Sequence, residues 1–303
     1  MANSYKSKKT ILSLFIVDAF SKQPFKGNGA AVCLIPYDKS VPSDIKQNIA
    51  SEINLSETAF IKIINEEDTF ENSKRFALQW YTPTCEVGLC GHATVASAAV
   101  LFSVCNNHSE TLEFETACGI LTAKKLSNGK IQINLPAYES KSLVMEEYEG
   151  IIKAAVGSLP VQEVLLPDSK NLTIHLRDDV TRVQLEQFKP KDSELLAAAS
   201  DIIGVIVTLK GLGKDDCLDA NGKSYDFMCR YFAPWLGVSE DPVTVTGSAY
   251  CVLGPYWAKV LQKNVLYARQ CSTRGGDLFV EVVDGRTLIS GDAVIVIEGQ
   301  INF

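Results

Sequence analysis

Two stretches of the chain share one pattern of apolar and polar positions. Residues 76–101 run from an aromatic-rich strand through a short loop into a helix that begins on glycine. Residues 226–261 repeat the order: aromatic strand, proline, acidic loop, glycine, polar residue, alanine, apolar helix. The first loop ends in Cys90-Gly91-His92-Ala93 and the second in Thr246-Gly247-Ser248-Ala249. The helix after Gly91 carries Ala93, Val95, Ala96, Ala98, Ala99 and Leu101, so it has no polar face and is expected to be buried on all sides.

The rest of the chain reads as short strands with a few helices. Runs rich in β-branched and aromatic residues predict strands over 11–19, 30–35, 59–64, 75–81, 112–116, 120–124 and 130–135. Ile45, Ile49 and Ile53 recur every four residues behind Pro42-Ser43-Asp44, which predicts a capped helix. Beyond residue 144 the pattern predicts a helix over 145–156, strands over 161–166 and 171–176, a polar helical stretch over 180–199, and a strand over 204–209. Strands over 265–270, 277–283 and 293–298 follow, with Gly275-Gly276, Asp284-Gly285 and Ser290-Gly291 as the turns between them. No Rossmann-type alternation, GxGxxG or P-loop is present. The expectation is an α+β protein of two halves, residues 1–126 and 127–303. Each half would be an antiparallel-rich sheet round one hydrophobic helix, and the last strand is free to return to the first half.

Composition narrows the function classes. The chain has 303 residues, 46% hydrophobic, with a net charge of -7. It lacks a basic stripe, which argues against nucleic acid as a partner. No apolar run reaches bilayer length, and the first one flows into Asp18 after seven residues. Nine cysteines without a CxxC spacing point to free thiols in a reducing, cytoplasmic setting and to no zinc site.

The candidate chemistry gathers at the two glycine turns. A glycine before a helix is ordinarily a cap, but it also leaves the first amides uncovered. Two such helix starts face to face would hold a carboxylate. Gly91 and Gly247 are the candidates. Cys90 reads either as a small apolar filler or as a thiol activated at a helix start. Its counterpart is Thr246, so a symmetric pair of thiol bases is lacking. His92 would stand opposite Ser248 beside the anion hole. Glu57, at the head of an apolar strand, reads equally as an edge charge paired with Arg75 or Arg230 and as a general acid or base. Asp241 either shapes its own loop or orients a substrate amine or hydroxyl.

These residues lie in motifs that resemble the PhzF phenazine-biosynthesis-like family, its animal members in particular. The matching motifs are Phe25-x-Gly27-Asn28, residues 54–60 (NLSETAF), Thr82-Pro83-x-x-Glu86, residues 89–94 (LCGHAT), residues 230–234 (RYFAP), and residues 240–249 from Glu240-Asp241-Pro242 to Thr246-Gly247-Ser248-Ala249. The resemblance runs from about residue 12 to the end. It implies the diaminopimelate-epimerase fold with a site in the cleft between two halves, commonly as a homodimer. It also implies an isomerase that uses no metal or cofactor and moves a proton on a small carboxylic acid. Carried over, Glu57 moves the proton, His92, Asp241 and Ser248 complete the catalytic set, and Asn28, Gly91, Gly247, Cys90 and Thr246 contact substrate.

Two departures stand out. Gly29 replaces the family's proline, which implies a looser turn. Two residues are added between Asp241 and Gly247, a shift of about 6–7 Å along an extended chain; either the loop bulges or Asp241 leaves the cleft. Two rival readings remain open on the sequence: a hydroxyproline-dehydratase- or racemase-like enzyme using Cys90 and Thr246, and a catalytically silent scaffold on the same fold.

Overall fold

A computed structural model describes residues 9–242 and 249–303. The chain begins with β1 (Ile11–Ala19), β2 (Asn28–Ile35), α1 (Ser43–Ile53), β3 (Glu57–Ile63), β4 (Arg75–Tyr81) and the short β5 (Glu86–Val87). It continues with α2 (Gly91–Ser103), β6 (Thr111–Thr116), β7 (Gly119–Lys125), β8 (Ile131–Pro136) and β9 (Ser140–Ser142). Next come α3 (Glu149–Val156), β10 (Val161–Pro167), β11 (Asn171–Leu176), α4 (Arg182–Gln187), α5 (Asp192–Ala198), β12 (Gly204–Lys210) and β13 (Phe227–Phe232). The described chain closes with α6 (Ala249–Leu261), β14 (Val265–Gln270), β15 (Gly276–Val283), β16 (Arg286–Gly291) and β17 (Ala293–Asn302).

Strand pairing repeats. β1 is antiparallel to β2, β2 parallel to β3, β3 antiparallel to β4 and β4 parallel to β6, after which β6, β7 and β8 follow antiparallel. The run β10, β11, β12, β13, β14, β15, β16 has the same alternation. The two runs join where β8 pairs with β16. The strand after each run closes the other, β9 on β10 and β17 on β1. This is the α+β, epimerase-like architecture.

The sheet is antiparallel-rich, as expected, and includes four parallel pairs. A parallel pair needs a crossover, and helices supply each one. α1 joins β2 to β3, α2 joins β4 to β6, α4 and α5 join β11 to β12, and α6 joins β13 to β14. Strands β2, β11 and β13 are buried along their whole length, so periodicity carried no information about their partners.

Two elements also differ from the expected pattern. The polar stretch 180–199 is broken into α4 and α5 around Pro190, which lacks an amide and disfavours helix at the residue before it. Residues 286–291 form β16 between β15 and β8, where Ser290-Gly291 had read as a turn. Gly291 is a strand residue for a packing reason: a Cβ there would stand 2.2 Å from the Phe20 ring.

As expected, α2 is buried from Gly91 to Phe102. Its apolar side chains share one core with those of α6, among them Tyr250, Val252 and Trp257. A second core lies under α3, α4 and α5. No helix among the described residues is long and apolar enough to cross a membrane.

His175 on β11 joins the second run to α6. Its Nδ1 lies 2.6 Å from the Tyr256 hydroxyl, which also donates to Glu163 at 2.6 Å. Its Nε2 is buried and has no hydrogen-bond partner among the described residues. Burial holds its pKa below the ordinary histidine value, against the opposing pull of Glu163 and Asp178. A depressed folded-state value means that this group's contribution to stability is full above the unfolded pKa near 6.5 and is lost as pH falls through the folded value. Urea unfolding at a series of pH values should therefore show stability falling below about pH 6.5. In His175→Gln the dependence should be shallower, by at most about 1.4 kcal/mol per pH unit.

Candidate active site

The site is built outward from the turn between β1 and β2. Gly27 has φ +67°, and a Cβ there would lie 2.1 Å from the Ala19 carbonyl oxygen, so only glycine fits. The Arg274 guanidinium clamps the same turn, donating to the Gly27 carbonyl at 2.7 Å and to Asp18 at 2.6 Å. Asp18 also accepts the Phe25 amide at 2.6 Å. Gly29 is paired with Asp18 inside the β1–β2 ladder. The turn is therefore held by charge and register, which corrects the expectation that losing a proline there loosens it.

This clamp delivers Asn28 to the centre of the molecule, where it is 1% exposed. Its Nδ2 donates to Asp241 Oδ1 at 2.5 Å and lies 3.1 Å from His92 Nδ1. Its Oδ1 accepts the Ser56 hydroxyl at 3.1 Å. Asp241 is fixed by its backbone as well, through its amide to the Tyr231 carbonyl at 3.1 Å and its carbonyl to the Gln270 side chain at 2.8 Å. The added residues after Asp241 thus leave it in the cleft. Thr246, Gly247 and Ser248 lie outside the described residues.

Glu57 opens β3 and is 2% exposed; His92 is the second residue of α2 and is fully buried. Glu57 Oε2 lies 3.1 Å from His92 Nε2 and, among the described residues, accepts no aligned hydrogen bond. Proximity without alignment is a Coulombic contact. Burial acts to lower the pKa of His92, but the Glu57 carboxylate, by charge and contact, and Asp241 behind it raise the value above that of an ordinary imidazole. Neither arginine considered for Glu57 reaches it. Arg75 pairs with Glu115, and Arg230 holds Glu240 through two nitrogens at 2.7 and 2.9 Å.

Cys90 departs from the activated-thiol reading. It is the residue before α2, fully buried, with its sulfur 3.6 Å from His92 Nδ1. Burial is the largest influence on it, and the charges of Glu57 and Asp241 add to it. The amides of His92 and Ala93 bear on the sulfur and pull the other way, as a helix start should, but they are outweighed. The thiol is held well above its ordinary pKa and stays protonated. The uncovered amides behind Gly91 are therefore directed at a thiol of the same chain.

Glu57 and Asp241 stand in the wall of a cavity of about 470 Å³. Val87, Leu89, Tyr138, Tyr231 and Leu236 make the rest of that wall largely apolar. Tyr138 and Tyr231 were not singled out from sequence, nor was Ser56. Ser56 sits inside the same motif as Glu57 and lies 3.3 Å from His92 Nε2, so motif membership was the available signal. Glu57, Cys90 and His92 bring metal-binding atoms within 4.8 Å of one another.

A mixed sheet folded round two buried helices, with acid and imidazole groups meeting between them, defines an epimerase-like protein. The family model described as phenazine biosynthesis-like protein matches residues 17–299, and the chain belongs to that family. It is 45% identical over 296 residues to the mouse phenazine biosynthesis-like domain-containing protein 2, covering 96% of this chain and 99% of that protein. A Halalkalibacterium halodurans protein named an uncharacterized isomerase is 37% identical over 290 residues, 95% of this chain and 97% of the relative. The crystal structure of a PhzF-family phenazine biosynthesis protein from Enterococcus faecalis superposes with a TM-score of 0.78 at 35% identity, over 96% of this chain and 99% of that one. A hydroxyproline epimerase from Agrobacterium vitis shares the fold, with a TM-score of 0.56 at 12% identity over 96% of this chain and 92% of that one.

The turn geometry sets a test. Gly27→Ala should lower unfolding free energy by about 2 kcal/mol or more, because it combines a strained φ with a backbone clash. Gly88→Ala, where a Cβ meets nothing within 4 Å, should change it by less than about 0.5 kcal/mol. Equilibrium urea denaturation of both variants measures the difference.

Proposed function

We propose that this protein is a cofactor-independent isomerase that moves a proton on a small carboxylic acid, with Glu57 as the acid/base group. The observation that carries this reading is the buried Glu57 carboxylate, which stands in the cavity wall 3.1 Å from the His92 imidazole. Glu57 takes the proton from carbon, the electron pair moves into the conjugated system, and Glu57, whose proton exchanges with solvent through the cavity, returns a proton to a second carbon. The carboxylate is regenerated, and atoms and charge balance without a further reactant. His92 stabilises the charge that develops, and its raised proton affinity beside Glu57 supports that role. Asp241, held by Asn28, orients an amine or hydroxyl of the substrate.

Cofactor independence and a homodimeric assembly rest on the family resemblance, and a cytoplasmic location on the nine free cysteines. The isomerase name of the Halalkalibacterium halodurans relative supports the reaction class. The protonated, buried state of Cys90 weighs against the reading in which a thiol is the base.

The test begins with a ligand selected by thermal shift from small aromatic and amino acids. In deuterated buffer the wild-type protein should exchange a carbon-bound proton of a true substrate, followed by mass spectrometry. Glu57→Gln should lose about 10²–10⁴-fold in exchange rate while still binding the ligand. Exchange that persists in Glu57→Gln overturns the assignment.

A further inference from the structure

Among the described residues β17 is the longest strand with a single partner. It lies against β1 on one side, and its far edge meets no described strand. Phe303, just beyond its end, exchanges both main-chain hydrogen bonds with Thr10, at 2.8 and 3.0 Å. Such pairs alternate along an antiparallel ladder. Ile297, Gly299 and Ile301 therefore also face β1, while the N–H and C=O groups of Glu298, Gln300 and Asn302 face outward. Residues 297–300 and 302 are exposed. A regular edge of this kind is a template for another strand, and chains commonly block it with proline, lysine or a bulge. Beyond the register shift at Val296, β17 has none of these, and its one charge is Glu298.

The edge is complementary to itself. A second copy meeting it antiparallel must set outward residues against outward residues. With Gln300 on the twofold axis, Glu298 stands opposite the partner's Asn302 and Gln300 opposite the partner's Gln300. That face pairs a carboxylate with an amide and an amide with an amide, and no like charges meet. The other face is apolar. Ile297, 57% exposed, comes opposite the partner's Phe303, and Phe303 is itself 38% exposed. The partner's Ile301 lies over Gly299, where a Cβ would meet nothing within 4 Å. Half-buried Leu14 and Ile16 of β1 extend this apolar face, opposite Gly299 and Ile297. Other registers are poorer. An axis at residue 298 sets two carboxylates face to face, and one at residue 299 carries the pairing into the register shift at Val296.

We propose that the far edge of β17 pairs with the same edge of a second copy of this chain, about a twofold axis at Gln300, so that one sheet runs through both copies. The contact is isologous and closes on itself. The outward N–H and C=O groups of Glu298, Gln300 and Asn302 on the two copies make about six main-chain hydrogen bonds. This gives a surface and a register to the homodimer that the family resemblance implies. It rests on that homodimeric reading and is independent of the isomerase chemistry.

The experiment uses the full chain in size-exclusion chromatography with light scattering over a series of concentrations. The wild-type protein should scatter as twice the 33.1 kDa mass of the chain. Gln300→Lys sets two like charges together on the axis and should raise the dimer Kd by at least about tenfold. Gln300→Pro removes an N–H that β1 does not use, so it should weaken the dimer as much while the ladder within each copy stays intact. Gln300→Cys should give a disulfide-linked dimer on mild oxidation, because the Cα atoms of such a pair lie about 5.5 Å apart. The wild-type chain, with its native cysteines, should not be linked, and the Cys variant carries the test if Gln300→Pro fails to fold. A dimer that survives Gln300→Lys and is not trapped by Gln300→Cys overturns this edge and leaves the homodimer standing. A monomer at every concentration overturns both.

Discussion

The site depends on one side-chain amide. Asn28 belongs to the first strand run and Asp241 to the chain after β13, yet they meet at 2.5 Å in a fully buried position. Asn28 also faces His92 and accepts from Ser56, so a single residue sets the relative placement of the groups around Glu57. An amide suits this task because it donates to a carboxylate and accepts from a hydroxyl without carrying charge of its own. A charged residue in the same place would shift the balance between the two carboxylates and the imidazole. The elaborate hold on the preceding turn, by Gly27, Asp18 and Arg274, follows from that requirement: an error of an ångström at Asn28 would separate Asp241 from His92.

Around this amide the electrostatics are lopsided. Two buried carboxylates bear on one buried imidazole and one buried thiol. The imidazole gains proton affinity because its positive form is the only one that answers both carboxylates; the thiol loses acidity because its negative form would be a third anion. The helix start at α2 works in the opposite direction on Cys90 and loses. A helix N-terminus activates a thiol where the local field is otherwise neutral or positive, and here it is neither.

The parts of this arrangement that were legible in the sequence are those fixed by local composition. α2 has almost no polar residue, so its burial followed at once. The glycine turns and Glu57 stood in recognisable motifs. Strand direction was hidden, because strands such as β11 and β13 are buried on both faces and their composition is the same whichever way the neighbour runs. β16 was hidden for a different reason. Gly291 signals a turn in sequence, whereas the structure uses its missing side chain to admit the Phe20 ring. The partner of Arg230 was misread because alternation along β13 does not say which loop returns to meet it. The acidic loop that follows β13 brings Glu240 back to it, and Arg230 also caps the carbonyls of Leu185 and Phe188 at the end of α4.

The repeat explains why the buried carboxylate of β3 has no counterpart on β12. β2 begins at Asn28 and β11 at Asn171; β3 begins at Glu57 and β12 at Gly204. The two asparagines hold corresponding places in the strand order, but they serve different neighbours. Asn171 accepts the Tyr231 hydroxyl at 2.7 Å, and Tyr231 lines the cavity that contains Glu57. A Cβ at Gly204 would stand 2.4 Å from that same hydroxyl, so the position that carries a carboxylate in the first run must be bare in the second. A second acid there would exclude Tyr231 from the wall. The fold repeats its backbone, and side-chain volume prevents it from repeating its buried carboxylate. The proposed transfer by one carboxylate with an apolar wall opposite suits this asymmetry, whereas a matched pair of carboxylates at positions 57 and 204 would need Gly204 and Tyr231 to be different residues.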